Sequence, residues 1–323
     1  MSYETVAPYQ FRKLDFNPRS EDDVEIVYQE KMEARRIALK KPLETGLGFT
    51  LDLEVPPHNP DPGSRPLPFI PRTGSGTGVV LRLHEVLQPG VNAFSQVWTA
   101  NVVGAETCLV MKIIQPSLLR LPSDWANEYY DPWDLAHNEA WVYQKLVCHQ
   151  GLLIPYFFGI FEIVAPCGEV AWVLVLEFVP GLTVNDVDES TSKADIHDFC
   201  ALGVDAVRDF ARSGWSLRDI RGPNFILTGA PGAWTVVIID LFLAQPCGSL
   251  DLERVAEIEA RQFFFNFAIC VRDVCPGIYE WAQKDLPRLV WSFREQPSSL
   301  DSEEEEDPSF ESGSETSAGG DAA

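Results

Sequence analysis

Five polar residues stand along the chain in an order that suits the handling of a polyphosphate: Lys112, Glu139, Asp219, Asn224 and Asp240. Lys112 lies in the apolar run VMKII, where an ammonium group needs an anion beside it. Glu139 falls in HNEAWVYQKL, a stretch of helix-forming residues. Asp219 and Asn224 sit five apart in LRDIRGPN, between a helical pattern and a strand pattern. Asp240 closes the strand-like run TVVIID, an expensive place for a carboxylate without a cation nearby. Taken singly, each has a bland counterpart: an edge lysine, a solvated glutamate, turn or capping residues. Taken together they describe one chemistry. The strand lysine would hold the α and β phosphates of a nucleotide, and the helix glutamate would orient it. Asp219 would accept the proton of an attacking hydroxyl, while Asn224 and Asp240 would hold Mg2+.

In this register the chain resembles the protein-kinase-like superfamily, particularly its compact fungal-type protein-kinase-like domains. Aminoglycoside and choline kinases are more distant members of that group. The resemblance covers roughly Val79 to Ala244. GVNAFSQV, residues 90–97, is similar to the kinase loop G-x-G-x-F-G-x-V, with Asn92 and Ser95 in place of two glycines. The resemblance makes Gly90, Asn92, Ser95 and Val97 cofactor-binding residues. It makes Leu176-Glu177-Phe178-Val179 the hinge, with Leu176 as gatekeeper and the backbones of Glu177 and Val179 contacting adenine. Arg221, where protein-serine/threonine kinases carry Lys, would reach the γ-phosphate. The implied fold is α+β and two-lobed, with a β-rich N-lobe and a shortened helical C-lobe. The implied ligands are ATP, Mg2+ and a hydroxyl-bearing acceptor, a protein Ser/Thr slightly favoured over a small molecule.

The departures are specific. Leu217 replaces the histidine that precedes the loop arginine in kinases. Asp240 is followed by Leu241 and Phe242, so the D-F-G glycine is missing, and Phe242 cannot take a positive φ cheaply. No A-P-E-like segment follows, and about sixty residues separate Asp240 from the tail. These departures motivate a second reading, a pseudokinase serving as a nucleotide-binding interaction module. P-loop chemistry is excluded because G-x-x-x-x-G-K-[S/T] does not occur, and hydrolase chemistry of the G-x-S-x-G type for the same reason. The five histidines, His58, His84, His137, His149 and His197, lack metal-ligand spacing.

These residues need a scaffold. Residues 21–41 are rich in helix formers and run from acidic to basic, as a helix dipole prefers. A Pro-rich connector (56–71) and the run Gly74-Ser75-Gly76-Thr77-Gly78 read as loose linker, because the glycines precede a strand pattern and not a helix. Strand patterns follow at 79–87, 94–103 and 107–114, a helix at 135–147, and strands at 156–164 and 171–179. A long helix is expected over 192–213, where Ile196, Phe199, Cys200, Gly203, Ala206, Val207 and Phe210 recur at the spacing of one buried face. A short hairpin (224–229, 234–240) and helices over 251–270 and 277–294 complete the pattern. The expected divisions are an N-terminal extension (1–75), N-lobe and hinge (76–179), C-lobe (180–296) and a disordered acidic tail (297–323).

Bulk properties agree with a folded intracellular protein, cytoplasmic or nuclear. The 323 residues are 46% hydrophobic, enough for a sizeable core. The net charge of -23, nine of whose acids lie between Asp301 and Asp321, argues against nucleic acid and anionic membranes as partners. Seven cysteines without a C-x-x-C pair fit a reducing compartment. A polar start excludes a signal peptide, and the longest apolar run is too short to span a bilayer.

Overall fold

The computed structural model describes residues 21–57, 61, 63–71, 78–91, 93–119, 131–230 and 232–290. Asn92, His58, residues 74–77 of the glycine run, the first twenty residues and the acidic tail lie outside these. The architecture is α+β, a six-stranded antiparallel sheet followed by a helical region. The first elements are helix α1 (Glu21–Lys40), β1 (Gly48–Leu51), β2 (Val79–Gln88), β3 (Gln96–Val102), β4 (Cys108–Ile114) and α2 (Pro132–Lys145). They continue through β5 (Phe157–Val164), β6 (Val170–Glu177), β7 (Leu182–Thr183), α3 (Lys193–Arg212), β8 (Trp215–Ser216), β9 (Phe225–Thr228) and β10 (Thr235–Ile238). The last are β11 (Gln245–Pro246), α4 (Leu252–Val271), α5 (Ile278–Asp285) and α6 (Pro287–Val290). No helix among the described residues is long and apolar enough to cross a membrane.

The large sheet has the order β1-β2-β3-β4-β6-β5. Side chains alternate faces along a strand, and here the alternation decides what reaches the interior of the molecule. Leu109, Met111 and Ile113 of β4 join Leu81, Leu83, Trp98, Val173 and Val175 in a core on the outer face. Val110 and Lys112, offset by one, point the other way, toward the helical region. Registry places Lys112 opposite Val97 on β3 and Leu174 on β6.

The segment from Leu43 to Ile70, which includes most of the Pro-rich connector, is tied to the sheet. The pairing β1–β2, with Gly48 opposite Arg82 and Leu51 opposite Val79, extends the sheet by a strand that the sequence pattern did not announce. Leu43, Leu51 and Ile70 are buried in the outer core. Between them the Glu54 N–H donates to Phe158 O at 2.9 Å, and the Arg65 N–H donates to Gly151 O at 2.7 Å. Prolines hold such a segment extended, so a few apolar side chains suffice to lay it along the sheet.

In the helical region, α3 begins at Ser192, whose hydroxyl accepts the Asp195 N–H at 3.1 Å. All seven apolar positions expected on its inner face are buried. That face packs on α4, capped by Asp251. Gly203 permits the close approach: a Cβ there would stand 2.2 Å from the Phe263 ring. A three-stranded sheet, β10-β9-β7, lies beside these helices. Its hairpin sets Phe225 opposite Ile238, and Ile239 N–H donates to Asn224 O at 2.8 Å. Residues just before β9 and just after β10 therefore emerge side by side. Pairing of β8 with β11 brings the segments around 217 and 244 to the same end.

Candidate active site

A cleft opens between the large sheet and the helical region, and Lys112, Glu139, Asn224 and Asp240 all line it. Lys112 Nζ lies 2.6 Å from Glu139 Oε2 and 2.5 Å from Asp240 Oδ1. Burial alone would push this ammonium toward neutrality; the carboxylates of Asp240 and Glu139 outweigh it and hold Lys112 above the ordinary lysine value. Burial also raises the Glu139 carboxyl, against the pull of Lys112. Three elements meet here: β4 supplies the lysine, α2 the glutamate and the end of β10 the aspartate.

Helix α2 does more than present Glu139. Its N-cap, Asp131, accepts the Trp133 N–H at 2.8 Å, with Pro132 in the first turn. Glu139 Oε1 accepts the Leu241 N–H at 3.2 Å, and Asn138 Nδ2 donates to Phe242 O at 2.6 Å. Two adjacent helix residues thus fix the backbone that follows Asp240. Asp240 itself has φ +64°, a left-handed conformation costing about 1–3 kcal/mol outside glycine, and Arg218 beside Asp219 has φ +63°. Phe242 is not among the positive-φ residues, so the absent glycine leaves no strain at that position.

The loop 217–224 is held from both sides. Asn224 Nδ2 donates to Asp219 O at 3.0 Å and to its Oδ2 at 3.2 Å, and Arg221 donates to the same Oδ2 at 2.6 Å. From below, Glu259 on α4 accepts the Ser216 hydroxyl and the Leu217 N–H, the latter at 3.1 Å. Burial pushes the Glu259 carboxyl above its usual range, opposed by the Ser216 hydroxyl and the Leu217 and Arg218 N–H groups. Two turns on, Asn266 donates to Ile220 O. Leu217 packs in the core, so an apolar side chain replaces a polar support at that position.

Of the remaining expected residues, Ser95, Val97, Leu176, Glu177 and Val179 line the cleft. Gly90 shapes the turn behind it: its φ is +79°, and a Cβ would meet Gln96 Cα and N at 2.9 Å. Asp219 and Arg221 join the cleft through Asn224 and are not among its walls. Asn92 lies outside the described residues. Val179 is 6% exposed, and neither its N–H nor its C=O has a backbone partner among the described residues. Buried backbone groups almost always find a partner, so this one is suited to a ligand. Val97, Val110, Leu176, Ile226 and Ile239 form apolar walls that would fit a flat ring.

The donor set suits a hard cation. Asp240 offers a carboxylate and Asn224 an amide oxygen, the ligand types Mg2+ takes together with substrate phosphates. Among the described residues no three His, Cys, Asp or Glu side chains converge as an all-protein metal cage.

Several residues were not anticipated from the sequence. Asn138 and Asn266 bond to backbone carbonyls of distant loops, Glu259 to a distant backbone N–H and the Ser216 hydroxyl, and none of the three carries a local signal. Phe94 packs on Phe242 with ring centroids 5.2 Å apart, and Lys112 Nζ sits 5.5 Å from the Phe242 ring. No family model and no curated protein matches this chain.

Proposed function

We propose that this protein is a protein-kinase-like phosphotransferase, moving the γ-phosphate of Mg-ATP to a hydroxyl. One observation carries the reading: Lys112 held between Glu139 and Asp240 in a cleft that also contains Asn224 and Val179, whose N–H has no backbone partner among the described residues. In this reading the strand-rich and helical parts are the two lobes of a kinase-like fold, and Glu177–Val179 is the hinge between them. Lys112 stays charged and binds phosphate oxygens; Glu139 keeps it from swinging into Asp240 alone. Asp219, oriented by Asn224, accepts the hydroxyl proton as the phosphorus is attacked. Arg221 leaves Asp219 to bind the transferred group. Asn224 and Asp240 would hold Mg2+, which would offset the charge that develops as the bond to the leaving ADP breaks. The walls of the cleft exclude water, which strengthens each of these interactions.

The acceptor side is reduced. Among the described residues, the outer face of α4 leaves Ile258 and Ile269 exposed, a face that further helices of a peptide-gripping lobe would cover. A compact or externally docked acceptor fits this better than a peptide lying on a broad platform.

A second reading, nucleotide binding without transfer, is favoured by the Phe94–Phe242 contact beside Lys112 and by Arg221 sitting on Asp219. Mg-ATP binding by thermal shift and ATP turnover with generic hydroxyl acceptors, on wild type and Asp219→Ala, separate the two. Transfer predicts binding in both proteins and a loss of about 10²–10⁴-fold in turnover in the variant. Binding with no turnover in wild type favours the second reading, and absence of Mg-ATP binding overturns both.

A further inference from the structure

A second largely buried ion pair, Arg65–Glu177, lies beside the cleft. Arg65 comes from the Pro-rich connector, 112 residues before its partner Glu177. Its Nε and Nη2 grip the two Glu177 oxygens at 2.8 and 2.9 Å, while Nη1 and Nη2 donate to Leu152 O and Ile154 O at 2.8 and 2.9 Å. The Arg65 backbone is also engaged: its N–H donates to Gly151 O, and its C=O accepts the Tyr156 hydroxyl at 3.0 Å. Glu177 completes its shell with the Tyr156 N–H at 3.0 Å. Both side chains are largely buried, 14% and 6% exposed.

The proposed reaction uses the backbone of Glu177–Val179 and leaves this carboxylate without a chemical task. A buried ion pair is a poor stabiliser compared with apolar packing of the same size, so stability alone does not account for it. What a guanidinium fork does well is fix direction, because two parallel bonds to a carboxylate define a plane as well as a distance. Arg65 locks three segments together: the connector, the turn 151–156 and the residue that begins the hinge.

We propose that Arg65 is a positioning residue for the nucleotide base, a strap that sets the Glu177–Val179 backbone from beside the cleft. This rests on the reading of that segment as the base-binding hinge. The base edge then depends on Arg65, while the phosphates, held by Lys112 on the far side of the cleft, do not.

That asymmetry gives the test. In the full chain, the affinities for Mg-ATP and for Mg-tripolyphosphate, which has no base, are measured for wild type, Arg65→Met, Arg65→Lys and Arg65→Met/Glu177→Gln. Arg65→Met is expected to weaken ATP about tenfold, the worth of one misaligned hydrogen bond, with tripolyphosphate unchanged. Lys, a single point charge, should give a smaller loss. The double variant removes the stranded buried carboxylate, so its melting temperature should recover toward wild type while the ATP loss persists. This arm also covers the case in which Arg65→Met alone does not fold. Wild-type ATP affinity in the variants, or parallel loss of ATP and tripolyphosphate, would overturn the proposal. A wild type that binds tripolyphosphate and ATP equally removes the hinge reading and the strap with it.

Discussion

Replacing Lys112 with methionine removes the cation that stands between two carboxylates. Glu139 Oε2 and Asp240 Oδ1 each lie within 2.6 Å of Nζ, so without it they stand no more than about 5 Å apart. At an effective dielectric of about 20, two unit charges at that separation repel by about 3 kcal/mol. Breaking a buried pair by deleting one partner costs about 3–5 kcal/mol, in agreement. For a protein of this size that is a fall in melting temperature of roughly 4–10 °C. The sign with pH follows from the same charges. At pH 7 the variant must hold both carboxylates ionised or protonate one; at pH 5 protonation is easier and the repulsion is relieved. The cost of Lys112→Met should therefore shrink from pH 7 to pH 5, and Lys112→Met/Glu139→Gln should regain more than half of it. Urea unfolding at both pH values, as a double-mutant cycle, reads these quantities. A loss below about 1 kcal/mol at pH 7, or an equal loss at both pH values, refutes the triad as the holder of mutual charge balance.

Two further substitutions test the supports. Gly203→Ala gains about 1 kcal/mol in helix propensity but drives a methyl to 2.2 Å from Phe263, itself packed against Phe225 at 4.6 Å. Overpacking costs about 1–3 kcal/mol, so a net loss in urea midpoint is expected and a gain would sink the argument. Glu259 has a folded pKa above its unfolded value, so its contribution to stability is complete below about pH 4.5 and is lost as pH rises through the folded value. Glu259→Gln removes that titration. The melting temperature of the variant relative to wild type should rise between pH 4 and pH 8; a flat or falling difference contradicts the raised pKa.

Much of the scaffold was legible because the signals are local. The spacing of Ile196, Phe199, Gly203 and Phe210 marks one face of α3 wherever the helix is later placed. Alternation in VMKII already separates Lys112 from Met111 and Ile113, and the tertiary fold only decides which side is the cleft. Lys112, Glu139, Asp219, Asn224 and Asp240 could be singled out because their residue types, order and element positions constrain one another.

The connector was misjudged for a related reason. Prolines suppress periodicity between 56 and 71, so Ile70 carried no pattern that would reveal a buried strap, and β1, just before the connector, has only four residues in which to show an alternation. Arg65 is an ordinary surface-type residue until Glu177 is brought beside it. The same holds for Asn138, Glu259 and Asn266, which each bond to backbone of loops 42 to 104 residues away. The sequence by itself determined the elements, their faces and the chemical types available, since backbone preference and hydrophobic period act over a few residues. Only the tertiary structure decided which buried charges meet, because a low-dielectric interior accepts an ion only where a distant segment delivers its partner.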